Sequence, residues 1–336
     1  MAARIAHISY YLPSTEFTND EFFKLFPELN GNANLEKIGV RKRVISAPGE
    51  TASDMAVKAA KKLFDEHHIN PADIDFLLYS SLDFDYKMPA TSCVIHGELG
   101  LNFNCGTLDL SHGCSAYVYA LSVAKGLIQS NGAKNVLLLT ANTLTKDIHP
   151  RDKASRFVFG DAAAATLITA SDLGGIQHCV FGTDSAGYQK IIVKDGGSRN
   201  PLNEKSFEEF SDEFGNTTSR AQFFMDGTGV FLFSLKRVPV LVAETLKKNN
   251  LAQEDIDLFI FHQANLYMIG TITKKLNIPP EKVFNNMQEI GNTVGSTIPI
   301  ALAQALATGI LKKNAKVMLI GFGVGLSLSS TVLYLD

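Results

Sequence analysis

The chain has 336 residues, a formal charge of −3, 46% hydrophobic and 19% charged residues. That length suits two core-sized units. The near-neutral balance argues against a nucleic-acid binder, and without a run of about 18 apolar residues no membrane span is expected. Cys93, Cys105, Cys114 and Cys179 show no CxxC spacing, so neither a disulfide framework nor a Cys-rich zinc site is expected, and a reducing cytoplasm is the expected compartment.

In chain order, MAARIAHISYYLP at the start alternates apolar residues and reads as a first strand rather than a signal peptide. Residues 73-DIDFLLYSS-81 are a short apolar run of the kind buried on both faces. Next comes 109-DLSHGCSAYVYAL-121, a strand end followed by Gly113, Cys114 and a helix over 114–129 whose only charge is Lys125. A helix without a polar face is buried on all sides. A second buried strand follows at 135-NVLLLT-140. The polar, acid-rich stretch from Lys194 to Gln222 reads as a surface excursion before a helix start at Met225-Asp226-Gly227.

Past that excursion the first half recurs. Residues 255-DIDLFIFHQ-263 repeat 73–81 at an offset of 182, and 316-KVMLIG-321 repeats 135–140 at an offset of 181. Residues 296–311 form a second uncharged helix, with Pro299 in its first turn, where a missing N–H costs little. The offset of 182 maps Cys114 onto Ser296. Four ordered matches predict two copies of one α/β unit, residues 1–170 and 171–336, each with a buried central helix. Their C-terminal strand edges are expected to meet at a shared cleft, the usual place for ligands in open α/β sheets.

Most free cysteines are small buried hydrophobes. Cys114 differs in position, after a strand and behind Gly113 at a helix start. A helix N-terminus favours thiolate and lowers the thiol pKa from about 8.5, and Gly113 is expected to leave room for a substrate carbonyl. A nucleophilic Cys usually has a His partner. His112 is adjacent, but residues two apart around a tight turn point in different directions; His67 and His68 lie in a polar helix end. His262 ends the second copy's strand at the cleft edge and is the better candidate. Asn292, bracketed by Gly291 and Gly295, becomes a candidate donor to a carbonyl oxygen through its place opposite Cys114. The run 321-GFGVGLS-327 is a weak signal alone; it can turn backbone N–H groups toward a reacting oxygen, and it lacks the spacing of a dinucleotide site.

With GVRKR at 39–43, the Cys motif at 109–121, FGDAAAA at 159–165, HQANL at 262–266, GNT at 291–293 and GFGVG at 321–325, almost the whole chain resembles the β-ketoacyl-acyl carrier protein synthase III family. The resemblance implies a duplicated, thiolase-like αβαβα five-layer fold, a homodimer, and a Cys114-His262-Asn292 triad. It implies an oxyanion hole from the backbone of Cys114 and of Gly323, Val324 and Gly325, with Met88, Lys37, Arg41, Asn265 and Tyr267 at substrate-binding positions. The implied reaction moves an acyl group from acyl-CoA (or acyl-ACP) to Cys114 and condenses it with malonyl on acyl carrier protein, without metal or other cofactor. Four departures point to a specialised relative. The chain has no Trp, and the region where the family stacks one on the CoA adenine is NANLEK, 32–37. Tyr267 replaces an Arg used in carrier docking. Val324 replaces the central glycine of the last loop and must present its N–H at negative φ. Met88 precedes Pro89 where the family reaches into the partner's acyl pocket. Transfer to a non-malonyl acceptor is the second reading, and a non-catalytic subunit the third.

Overall fold

The computed structural model describes residues 2–172 and 174–335. The first half supplies strands β1 (Ala2–Tyr11), β2 (Phe76–Ser81), β3 (Gly106–Ser111), β4 (Asn135–Asn142) and β5 (Ala162–Ser171), with helices α1 (Ala52–His67), α2 (Thr91–Glu98) and α3 (Ala116–Gln129). The second supplies β6 (Val180–Thr183), β7 (Leu258–Phe261), β8 (Lys316–Gly323) and β9 (Ser327–Tyr334), with α4 (Gly227–Lys248), α5 (Leu266–Lys275) and α6 (Thr297–Ala307).

The repeat is visible in the pairing. The first sheet runs β1-β5-β4-β2-β3 and the second β6-β9-β8-β7. In each, the two predicted strands lie side by side and parallel, Phe76 opposite Val136 and Leu258 opposite Val317. In each, an antiparallel return strand follows, β5 on β4 and β9 on β8. The counterpart of β3 has shrunk to a single parallel bridge between Phe259 and Val283.

Helices α3 and α6 form the middle layer. Tyr117, Val118 and Leu121 of α3 share one core with Ile298, Ala301 and Leu302 of α6, and with Leu138 and Leu319 from the two sheets. Helices α1 and α2 cover the outer face of the first sheet, and α4 and α5 cover that of the second. The result is the five-layer αβαβα, thiolase-like arrangement expected from the motifs. The one charge in α3, Lys125, reaches the Gln177 carbonyl at 3.0 Å.

The helix starts differ from the sequence reading. α3 begins at Ala116 behind an N-cap Ser115, and α6 at Thr297 behind an N-cap Ser296. The caps correspond at 181, so Cys114 stands one residue outside the cap and aligns with Gly295. Neither cap hydroxyl bonds its own helix. Ser115 Oγ meets Ser327 Oγ at 2.7 Å, and Ser296 Oγ donates to the Thr140 carbonyl at 3.0 Å. Both hydroxyls thus tie a central helix to a strand.

Candidate active site

Cys114 leaves β3 and His262 leaves β7, at equivalent edges of the two sheets. The His262 backbone is fixed where its N–H donates to the Ile320 carbonyl of β8 at 2.7 Å. Asn292 comes from the loop before α6, and that loop is clamped to the FGD motif. Asn292 N–H donates to the Val158 carbonyl at 2.9 Å, and Gly160 N–H donates to the Asn292 carbonyl at 3.0 Å. A side chain at Gly160 would bring Cβ within 2.4 Å of the Ile290 carbonyl oxygen. Next to it, Asp161 is buried and accepts from the N–H and hydroxyl groups of both Ser46 and Thr145.

These elements deliver Cys114, His262 and Asn292 to one cavity of about 90 Å³, with Phe159, Met268 and Phe322 among its apolar walls. The Val294 N–H donates to Asn292 Oδ1 at 3.0 Å, so the amide Nδ2 faces His262 Nε2, 3.5 Å away. Holding that N–H puts Val294 at φ +54, an uncommon conformation for a β-branched residue. Phe322 stands edge-on to the His262 ring, 5.6 Å between centroids, and Thr297 Oγ1 lies 2.8 Å from His262 Nδ1.

The electrostatics correct one expectation. Burial pushes the Cys114 thiol up to about 11, against hydrogen bonds from the N–H groups of Val324 and of Cys114 itself that favour thiolate. The helix-terminus effect acts within the first turn, and α3 begins two residues after the sulfur, so desolvation prevails. Burial also holds His262 down at about 3. Thiol and imidazole are therefore both neutral at pH 7.

Gly113 is a second correction. A Cβ there would lie 2.3 Å from Val324 Cγ1, so the glycine accommodates the last loop, not a substrate carbonyl. That loop presses on the thiol: at Gly323, with φ +152, a Cβ would lie 2.8 Å from Cys114 Sγ. Gly325 takes φ +137, while Val324 is absent from the residues with positive φ, as expected from the sequence.

Of the further positions, Asn265 lines the cavity and caps α5, its side chain accepting from Met268 N–H at 2.7 Å. Lys37, Arg41, Met88 and Tyr267 lie outside it. Arg41 pairs with Glu289 on the surface, Tyr267 stacks on Phe231, Lys37 is exposed on a short helix, and Met88 is 82% exposed. His112 stacks on Tyr119 away from the cavity, and His67 stacks on His7. Among the described residues there is no cluster of His, Cys, Asp or Glu placed to hold a metal, and no helix long and apolar enough to cross a membrane. Thr297 and the clamping role of Phe159–Gly160 were not read from the sequence; the signals were a hydroxyl residue heading an otherwise apolar helix and the FGD motif itself.

A duplicated five-layer fold with a cysteine, a histidine and an asparagine converging between its halves defines a thiolase-fold condensing acyltransferase. Residues 108–185 match the family model of 3-oxoacyl-[acyl-carrier-protein (ACP)] synthase III, and 246–335 match the model of that enzyme's C-terminal part. A β-ketoacyl-[acyl-carrier-protein] synthase III from Caldanaerobacter subterraneus is 31% identical over 99% of this chain and 98% of its own. One from Clostridium perfringens is 33% identical over 99% of both. A solved structure of a 3-oxoacyl-(acyl-carrier-protein) synthase III superposes with a TM-score of 0.97 at 40% identity, covering 99% of this chain and 100% of the other. The chain belongs to the 3-oxoacyl-[acyl-carrier-protein] synthase III family, acyltransferases of fatty acid biosynthesis.

Proposed function

We propose that Cys114 is the acylated nucleophile and that His262 and Asn292 drive a decarboxylative condensation. The observation that carries this is the convergence of the three on one small cavity, with the Asn292 amide turned donor-first toward His262. In the first half-reaction the Cys114 sulfur attacks the thioester carbon of an acyl-CoA. The carbon–sulfur bond to CoA breaks, and the thiol proton ends on the departing CoA sulfur. In this reading the N–H groups of Cys114 and Val324, which lie against the sulfur, hold the oxyanion, with Gly323 and Gly325 shaping the loop. In the second, malonyl on acyl carrier protein loses carbon dioxide, and the electron pair of the broken bond forms an enolate. Nε2–H of His262 and Nδ2–H of Asn292 hold its oxygen. The enolate carbon attacks the acyl-Cys carbonyl, and Cys114 leaves as thiolate and takes up a proton from water. A neutral His262 suits this donor role. Every step is thioester and carbon–carbon chemistry carried by groups of the chain, with no cofactor.

Lys274 is exposed on the same helix as Tyr267 and offers a carrier protein a cationic contact where the usual Arg is missing. The partner, the site at Met88, Lys37 and Arg41, the boundary near residue 170 and the cytoplasmic location belong to this reading; four unpaired cysteines support the last.

Intact-mass spectrometry with a panel of acyl-CoAs tests it. An acyl adduct that disappears in Cys114→Ala is expected. Carbon dioxide and a β-ketoacyl product should then follow addition of malonyl-carrier protein. His262→Ala should still acylate but no longer decarboxylate. No adduct with any acyl-CoA or acyl carrier protein sinks the nucleophile; an adduct discharged only to a non-malonyl acceptor sinks the condensation.

A further inference from the structure

We propose that Thr297 donates its hydroxyl proton to His262 Nδ1 and thereby holds the imidazole as the tautomer that carries its proton on Nε2. The inference rests on the reading above that His262 donates a hydrogen bond to the malonyl thioester. Thr297 is a positioning residue: it acts through His262.

His262 is 2% exposed, so a ring nitrogen without a partner would be costly. Among the described residues, Nδ1 has one partner, Thr297 Oγ1 at 2.8 Å. The hydroxyl has a single proton to give, and a second acceptor, the Val294 carbonyl, lies 3.0 Å away. These are two alternatives. If the proton goes to Val294, Oγ1 must accept from Nδ1–H, which leaves Nε2 bare. If it goes to Nδ1, Nε2 carries the proton.

Three observations favour the second arrangement. The Val294 carbonyl already receives the backbone N–H of Thr297, so it does not depend on the hydroxyl. The shorter of the two hydroxyl contacts is the one to Nδ1. Among the described residues, the one donor near a bare Nε2 is Asn292 Nδ2, whose direction is set by the bond from Val294 N–H to Oδ1. That separation is 3.5 Å, well beyond the usual N–H donor distance of about 3.0 Å. As two neighbouring donors facing the cavity, Nε2–H and Nδ2–H need no bond to each other and can share one oxygen between them.

Thr297 sits in the first turn of α6, 1% exposed. Val there would fill nearly the same volume without a proton, and Ser would keep the proton with less volume. The residue type is thus the variable that separates tautomer control from packing.

The test uses protein labelled with 15N-histidine, the His262 signals being assigned by their loss in His262→Gln. In the ligand-free enzyme at neutral pH, Nε2 is expected to be protonated and Nδ1 to show the shift of a hydrogen-bonded acceptor. In Thr297→Val that Nδ1 signature should be lost. Malonyl decarboxylation should fall about ten- to a hundredfold, the effect of one unpaired buried group, with Cys114 acylation unchanged within about twofold. Thr297→Ser should restore both spectrum and rate. A wild-type spectrum with the proton on Nδ1, or a Thr297→Val enzyme condensing at the wild-type rate, overturns the proposal. Should Thr297→Val fail to fold, the wild-type spectrum and a fully active Thr297→Ser still decide it. A wild-type enzyme that never acylates would fail the functional reading instead, and the spectrum would stand apart from it.

Discussion

Cys114 and His262 are held as neutral groups, and this sets how the thiol reacts. In an ion pair the thiolate would be present at neutral pH in the free enzyme. Here burial raises the thiol to about 11 and lowers the imidazole to about 3, so transfer of a proton between them is strongly uphill. The thiolate fraction should grow about tenfold per pH unit below the raised pKa. Alkylation of Cys114 by iodoacetamide, followed by peptide mass spectrometry to separate it from the exposed Cys93, is therefore expected to accelerate steadily from pH 7 to pH 9. A plateau near pH 7 would show a thiolate that the N–H groups of Val324 and Cys114 had stabilised against burial. Position along the chain marked Cys114 as unusual, but the sign of its pKa shift was not legible there. That sign depends on Gly323 and Val324, more than 200 residues away, closing over the sulfur.

At the scale of elements, the loop holding Asn292 has a single 3-10 turn, Val294–Ser296, and is tied to the segment 158–160. Gly160 is the tight point, because any Cβ meets backbone and not a flexible side chain. Gly160→Ala is expected to cost about 1–3 kcal/mol of stability in urea unfolding, the usual range for overpacking. It should also lower condensation, because Asn292 moves. Cys114 acylation should survive, since the thiol is carried by β3 and α3. Condensation at the wild-type rate would show that the clamp does not position the amide. The FGD motif was visible in the sequence as a resemblance, but its physical task was hidden, since it is a pairing of residue 159 with residue 292. The strands and buried helices were legible because hydrophobic runs repeat locally. The helix starts were misplaced by one or two residues because Ser115 and Ser296 send their hydroxyls to strands instead of capping.

For the whole molecule, the proposed second copy of the chain is expected at the open edge of the first sheet. β3 is an edge strand paired only with β2, and an open edge in a stable protein is normally covered or blunted. Phe103, just before it, is 98% exposed, and Leu108, within it, 42%. In the second half the equivalent strand is reduced to the bridge at Val283, so β3 has no full-length counterpart there. Antiparallel pairing of β3 with its copy would close that edge by a two-fold axis, the commonest symmetry of homodimers. Because Cys114 follows β3 by three residues, the same contact would bring the two active sites together and give the exposed Met88 a route toward the partner's acyl cavity. Leu108→Lys places a charge at the centre of that contact. Light scattering behind size exclusion should find wild-type particles of twice the 36.5 kDa chain mass and a shift toward the single-chain mass in the variant. Acylation with the longer acyl-CoAs should weaken in step if Met88 shapes the partner's pocket. A wild-type protein that runs as a single chain at micromolar concentration, fully active, would separate the open edge from assembly.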